Sequence, residues 1–405
     1  METTPAARII LGLAFAFVLT VLASNPRVRA IEQRLGLTVL VTSGLPFLLL
    51  GVFFAFPGVD ILSPKVLTDL RPLFEFGLGW MGFVIGTQLD IRRIERLPEA
   101  LSTLLAIQVL IPAVLTVGVC LPTLRLLGIT SGDGLVRDLL LLAGCAATAA
   151  PVAARLLTPA NGRASAELLE EVVALDAVAA LAALGAVSIW LRPEETATNW
   201  SLPPLALLVL LLGLGALLGV LAHAILRSAS GDGEETALLL GTVALSAGFA
   251  EYLALSGPVV CAIAGAVLTN LPLASRSAFM GMLRGIERPL YLAFLVIVGA
   301  SWRPDAWQAW VLAAAYVVAR IGGKWLAVRV AGLFVPGLPT PMTLARVLVP
   351  QGPAAILVMA AAATLHGPAA PAPVRWAIHA VIVGAIVSEL VAQVARGRMD
   401  PSVAT

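Results

Sequence analysis

The sequence predicts an all-α polytopic membrane protein of about thirteen helices, an inverted repeat with two broken helices that cross. Three observations carry this. The 405 residues are 59% hydrophobic and only 12% charged, with a mean hydropathy of +0.97, whereas a soluble domain has about a quarter of its residues charged. Apolar runs of roughly twenty residues, the length that crosses a bilayer as a helix, recur from end to end. Two of those runs are interrupted by proline near the middle, at matching places in the two halves of the chain.

Taken in order, the spans fall at about 7–24, 38–56, 71–89, 99–122, 137–157, 168–191, 204–225, 235–252, 256–272, 286–301, 306–333, 342–364 and 374–396. The first lacks a clear small-residue cleavage site and reads as a span rather than a removable leader. Spans 8 and 9 are so close that a tight hairpin is expected. No polar stretch is long enough for a separate cytosolic domain, so 1–405 is read as one membrane domain. Residues 1–191 form the first repeat, 204–225 a linker span, and 235–396 the second repeat in the opposite orientation.

Lys and Arg in short loops set the orientation. Arg27, Arg29 and Arg34, then Arg92, Arg93 and Arg96, then Arg276, Arg284 and Arg288, and finally Arg396 and Arg398 all fall on one face. The opposite face is thinner: Lys65 and Arg71, then Arg137, Arg192, Arg303 and Arg375. The first face is expected to be cytoplasmic, with the N-terminus outside and the C-terminus inside. The formal net charge of +2 reports topology and gives no sign of a nucleic-acid partner.

The residues that carry chemistry lie between 141 and 191. Span 5 reads LLAGCAATAAPVAARLL, with Pro151 in its middle; span 6 reads ELLEEVVALDAVAALAAL, with Asp176 in a field of Ala, Val and Leu. A carboxylate at membrane depth costs about 2.5–3.5 kcal/mol on insertion scales and is rarely there without a task. A proline in a helix removes an N–H and frees carbonyls that can face an ion. The second half repeats the device as Pro350-Gln351-Gly352-Pro353, and Gln351 offers a further oxygen there. Asp176 is therefore read as the ion and proton site of a secondary transporter: a carboxyl that holds a proton or a cation, but not both, performs exchange by that competition. Arg320, in YVVARIGGKWLA, follows a long apolar stretch, and a buried arginine stays charged and needs a carboxylate. Both Glu171 and Asp176 are open as its partner.

Other features read as structure. Glu75 and Gln108 are polar residues in apolar runs with no further pattern. Cys120, Cys145 and Cys261 have unrelated spacing and read as small packing residues. The three histidines make no ligand set, and no metal or cofactor is expected. There is no nucleophile–base set and no phosphate-binding loop, which argues against an enzyme. Gly215 and Gly219 make a small-x-x-x-small face, for a contact inside the protomer or between two copies. Trp302, Trp307 and Trp310 fit an interfacial belt.

The chain resembles the monovalent cation:proton antiporter superfamily over nearly its whole length. LFEFGLGWMGFVIGTQLD resembles the family's third span, ATAAPVAARLL its unwound helix, and ALDAV the span with the essential Asp. LALSGPVVCAIAGAVLTN, AFLVIVGA and ARVLVPQGPAAILVMA are similar to the spans that follow, in the right order. The resemblance implies that Asp176 takes either cation or proton and that Thr148 is the unwound helix's ion-binding Thr. It implies a structural ion pair between Glu171 and Arg320, and a crossing of the broken helices at Pro151, Gln351, Gly352 and Pro353. Leu175 and Ala149 stand where relatives have polar residues. The implied activity is exchange of sodium or potassium for protons by alternating access, in a homodimer in lipid, in a bacterial inner membrane. Spans 5, 6, 11, 12 and 13 would form the moving core and the others a scaffold. One acid at the pair, with Arg rather than Lys at 320, points to electroneutral exchange. Two other readings stay open: a sodium-coupled symporter of organic anions on the same architecture, and a non-transporting scaffold or sensor.

Overall fold

The computed structural model describes residues 44–56, 59, 61–96, 98–129, 132–150, 163–191, 202–228, 232–272, 276–304, 306–335, 340–366 and 370–397. The expected first span, Arg27, Arg29, Arg34, Pro151, Arg192 and Arg398 lie outside them, as do the side chains of Glu171, Arg276, Arg284, Arg288 and Arg396.

Among the described residues the regular structure is all helix. In chain order the helices are α1 (Leu45–Phe54), α2 (Pro64–Asp69), α3 (Arg71–Thr87), α4 (Ile91–Ile94) and α5 (Glu99–Leu126). There follow α6 (Asp133–Ala147), α7 (Arg163–Trp190), α8 (Pro204–Leu226), α9 (Asp232–Tyr252) and α10 (Gly257–Asn270). The last are α11 (Arg276–Ser301), α12 (Trp307–Phe334), α13 (Pro341–Leu348), α14 (Pro353–Thr364) and α15 (Ala372–Gly397). Proline lies in the first turn of α1, α2, α3, α8, α10 and α14, where its missing N–H costs nothing. The turn between α9 and α10 is tight, with Ala254 at φ 51° and the Leu255 N–H reaching back to the Ala250 carbonyl.

Among the described residues, six stretches are long and apolar enough to cross a membrane: Glu99–Leu126, Val172–Trp190, Pro204–Leu226, Trp307–Phe334, Leu344–Thr364 and Ala372–Ala392. Leu344–Thr364 reaches that length only when read through the break between α13 and α14. Leu110, Val114, Leu205, Val209 and Leu217 are largely exposed, as suits helix faces solvated by lipid.

The helices pack as two groups. In one, α5, α6, α7, α12, α13, α14 and α15 lie together; in the other, α1, α3, α8, α9, α10 and α11. The groups meet mainly where α7 touches α3, α8 and α10, and where α14 touches α3. Span 4, expected in the scaffold, belongs with the first group because α5 packs closely on α12. A Cβ on Gly323 would lie 2.7 Å from the Pro112 Cα, so the approach needs glycine. The second group is held as tightly: a Cβ on Gly82 or Gly86 of α3 would overlap the α10 backbone at Pro258 or Ala262. Gly215 and Gly219 face α10 of the same chain, against Ile263 and Val267, which settles them as a contact within the protomer.

Candidate functional site

α7 carries Asp176 into the first group. Its buried face runs through Val172, Val173, Asp176, Ala180 and Leu184, three or four residues apart where more than one residue separates them. Asp176 is 1% exposed, and neither carboxylate oxygen has a hydrogen-bond partner among the described residues. The Ala149 N–H approaches it too loosely to close a hydrogen bond, and Lys324 and Arg320 act on it electrostatically, Lys324 more strongly. A carboxylate this deep needs a proton or a counter-charge on its oxygens.

Both cations come from α12, one turn apart. The Arg320 guanidinium donates from Nη1 to the Val349 carbonyl (2.6 Å) and from Nη2 to the Thr148 carbonyl (2.8 Å). The Lys324 ammonium donates to the Ala147 carbonyl (2.5 Å) and the Gln108 carbonyl (3.3 Å). Each acceptor is a carbonyl without a helical donor, and the sequence says why. α6 stops at Ala147 and α13 at Leu348, so Ala147, Thr148 and Val349 lie at or just beyond helix C-terminal ends, where carbonyls are orphaned and the dipole is negative. Gln108 is four residues before Pro112, which has no N–H to give it.

The end of α6 meets the break between α13 and α14. The Ala150 N–H donates to the Pro350 carbonyl (2.9 Å), and Gly352 lies so close to the Ala149 carbonyl that any Cβ there would overlap it. Gly352 is also the N-cap of α14, followed by Pro353. Thr148 is fully buried, and its hydroxyl donates to the Cys145 carbonyl (2.9 Å), leaving its lone pairs open to a cation. Gln351 donates from Nε2 to the Tyr316 hydroxyl (2.9 Å), and its backbone N–H donates to Ser388 Oγ (3.2 Å). The structure thus brings Asp176, Thr148, Arg320, Gln351 and Gly352 to one locus. Pro151 and the Glu171 side chain lie outside the described residues.

The transmembrane domain model of the sodium/hydrogen exchangers matches residues 17–394. The chain belongs to this family. The exchanger's fold also resembles a solved structure, that of the sodium proton antiporter MjNhaP1 from Methanocaldococcus jannaschii at pH 8. The TM-score is 0.63 at 17% identity, with 98% of each chain covered, so the likeness is one of fold. A search of curated proteins found no match. The family is one of membrane transporters, not enzymes.

Several residues of the exchanger's interior escaped the sequence reading. Lys324 is fully buried, and its signal was there: a second basic residue one turn beyond Arg320 in the same apolar helix. Gln108, read as structural, contributes its carbonyl rather than its amide. Arg137, read as a loop residue, lies in α6, buried beside Asp138 with Nε 3.7 Å from Oδ1. Glu75 pairs with Arg71 (2.6 Å) and belongs to a peripheral ion network with Glu251. Trp302 does more than mark an interface: its Nε1–H donates to His379 Nδ1 (3.0 Å), and Trp310 packs edge-on against the same ring.

Proposed function

We propose that this exchanger moves a monovalent cation, sodium or potassium, against protons by alternating access, with Asp176 as the shared site. One observation carries the reading. Arg320 and Lys324, the two cations that act on the buried Asp176, are engaged by backbone carbonyls, whereas its carboxylate has no hydrogen-bond donor among the described residues. Those two charges are tied down, and Asp176 is left for the load. The Thr148 hydroxyl and the Gln351 side-chain oxygen supply neutral ligands beside it.

The proposal extends to the architecture: thirteen spans, residues 1–191 and 235–396 as inverted repeats about the span at 204–225, and two copies forming a dimer. The N-terminus lies outside an inner membrane and the C-terminus in the cytoplasm. In motion, the group holding α5, α6, α7, α12, α13, α14 and α15 slides against the other. The thin contact between the groups supports this. Arg320 pairs with Glu171 as a structural ion pair, and exchange is electroneutral, one proton per cation. Lys324 has to keep its proton throughout for that stoichiometry to hold.

The test is reconstitution in proteoliposomes with an imposed pH gradient and an internal pH dye. Sodium, potassium and lithium are added in turn to wild type and Asp176→Asn. Cation-driven loss of the gradient in wild type, absent from the variant, is the expected result. A wild-type rate that follows an imposed potassium–valinomycin potential would overturn electroneutrality. A folded wild type that dissipates the gradient with none of the three cations would overturn the exchange reading.

A further inference from the structure

Another acid, Glu389, lies inside the helix bundle, away from Asp176. Glu389, on α15, is 7% exposed. It lines a cavity between the two helix groups, with Gln351 and Ala385 on its own side and Gly44, Tyr291 and Leu295 on the other. Gln351 joins this cavity to the helix crossing. It sits in the break between α13 and α14, it is 9% exposed, and its Oε1 has no partner among the described residues while its Nε2 is held by Tyr316. Tyr291 is near enough to Glu389 for the two to interact electrostatically. Gly44, at φ 77°, packs directly on Leu295, where a Cβ would overlap.

The walls share one end of the bundle by sequence. α1 follows the stretch with Arg27, Arg29 and Arg34; Tyr291 follows Arg284 and Arg288; Glu389 precedes Arg396 and Arg398. These are the residues whose charge marks the cytoplasmic face. A cation entering this seam loses water, and a carboxylate at the wall with neutral oxygens behind it offsets that loss. Conduction also needs successive sites, each weak enough to release.

We infer that this cavity is a cation vestibule on the cytoplasmic side, in which Glu389 recruits a monovalent cation and the Gln351 Oε1 relays it toward Asp176. The inference rests on the exchange reading above. Glu389 is a positioning residue for the load and does not itself exchange it.

The test measures exchange in vesicles of known sidedness for wild type, Glu389→Gln and Glu389→Asp. Glu389→Gln is expected to raise the KM for the cation about tenfold, the scale of one lost wall charge acting at short range. This holds when the cation is supplied from the cytoplasmic face and not from the other, with the maximal rate within about twofold. Glu389→Asp brings the KM back. A KM unchanged from the cytoplasmic face, or a fall in maximal rate alone, overturns the inference. A second measurement needs no Glu389 variant: carbodiimide labelling of Glu389, followed by mass spectrometry. Sodium or potassium is expected to slow labelling both in wild type and in Asp176→Asn, and lack of protection in both also overturns it. If wild type exchanges no cation, the exchange reading fails instead, and the labelling still tests the vestibule.

Discussion

Replacing Lys324 with methionine tests whether the site is one electrostatic unit. Methionine keeps a long unbranched chain in the space and removes only the ammonium. Two donations go with it, at 2.5 Å to Ala147 and 3.3 Å to Gln108. The shorter bond to a charged donor is worth about 1.5–3 kcal/mol, and the longer one less. The larger of the two positive charges acting on Asp176 is lost as well. Lys324→Met should therefore cost about 3–5 kcal/mol, the range seen when a buried charge is stranded. Asp176→Asn in the Lys324→Met background should recover about 1–3 kcal/mol, because no carboxylate remains to be stranded. The assay is equilibrium unfolding in mixed micelles of wild type, both single variants and the double variant. Additivity to within about 0.5 kcal/mol would refute the pairing of Asp176 with Lys324.

Other consequences follow from single contacts. Gly352→Val places a side chain into the Ala149 carbonyl, so cation-driven gradient loss should disappear and the melting temperature in detergent should fall. Pro112→Ala returns an N–H to the Gln108 carbonyl and releases that acceptor from Lys324. Stability should rise by up to about 3 kcal/mol, the cost of a mid-helix proline, while the exchange rate falls in the gradient assay. Trp302→Phe removes the donor to His379 Nδ1 and should cost about 1 kcal/mol on unfolding, with the KM for the cation unchanged.

The fold was legible because lipid leaves a chain little freedom: backbone groups have to be satisfied within helices, and apolar length then marks each span. From 38–56 onward, every expected span contains a described helix. The break in the second half was legible for the same reason, since Pro350-Gln351-Gly352-Pro353 cannot continue a helix. The acid was legible because Asp176 stands alone in a long apolar run. The companions of the acid were not. Lys324 lies on a helix that already offered Arg320, and sequence alone does not say which of two basic residues a turn apart turns inward; both do. The acceptors were harder still, because they are backbone carbonyls. The identity of residue 108 says nothing of its carbonyl until Pro112, four positions later, is seen to leave it without a donor. Glu389 was hidden by its place near the end of the last span, where an acid is ordinarily solvated. Only the packing of α15 beside the seam shows that it is buried.

The same geometry bears on why one acid suffices. Arg320 spans the two breaks, holding Val349 on one and Thr148 on the other, and Lys324 ties the end of α6 to α5. The C-terminal ends of α6 and α13 each carry about half a negative charge, and the two side chains offset those ends wherever the crossing lies. Asp176 is then the variable group. A proton on its oxygens and a monovalent cation beside them change the local charge by the same single unit. The seam between the helix groups thus meets one electrostatic burden in both loaded states, and a larger one when the carboxylate travels bare. Moving a lone ionised carboxylate through a poorly hydrated seam is disfavoured on the same grounds that make such residues rare at membrane depth. On the proposed one-for-one exchange, the empty carrier is the state that the barrier discriminates against, and the equality of the loaded states holds only while Lys324 retains its proton.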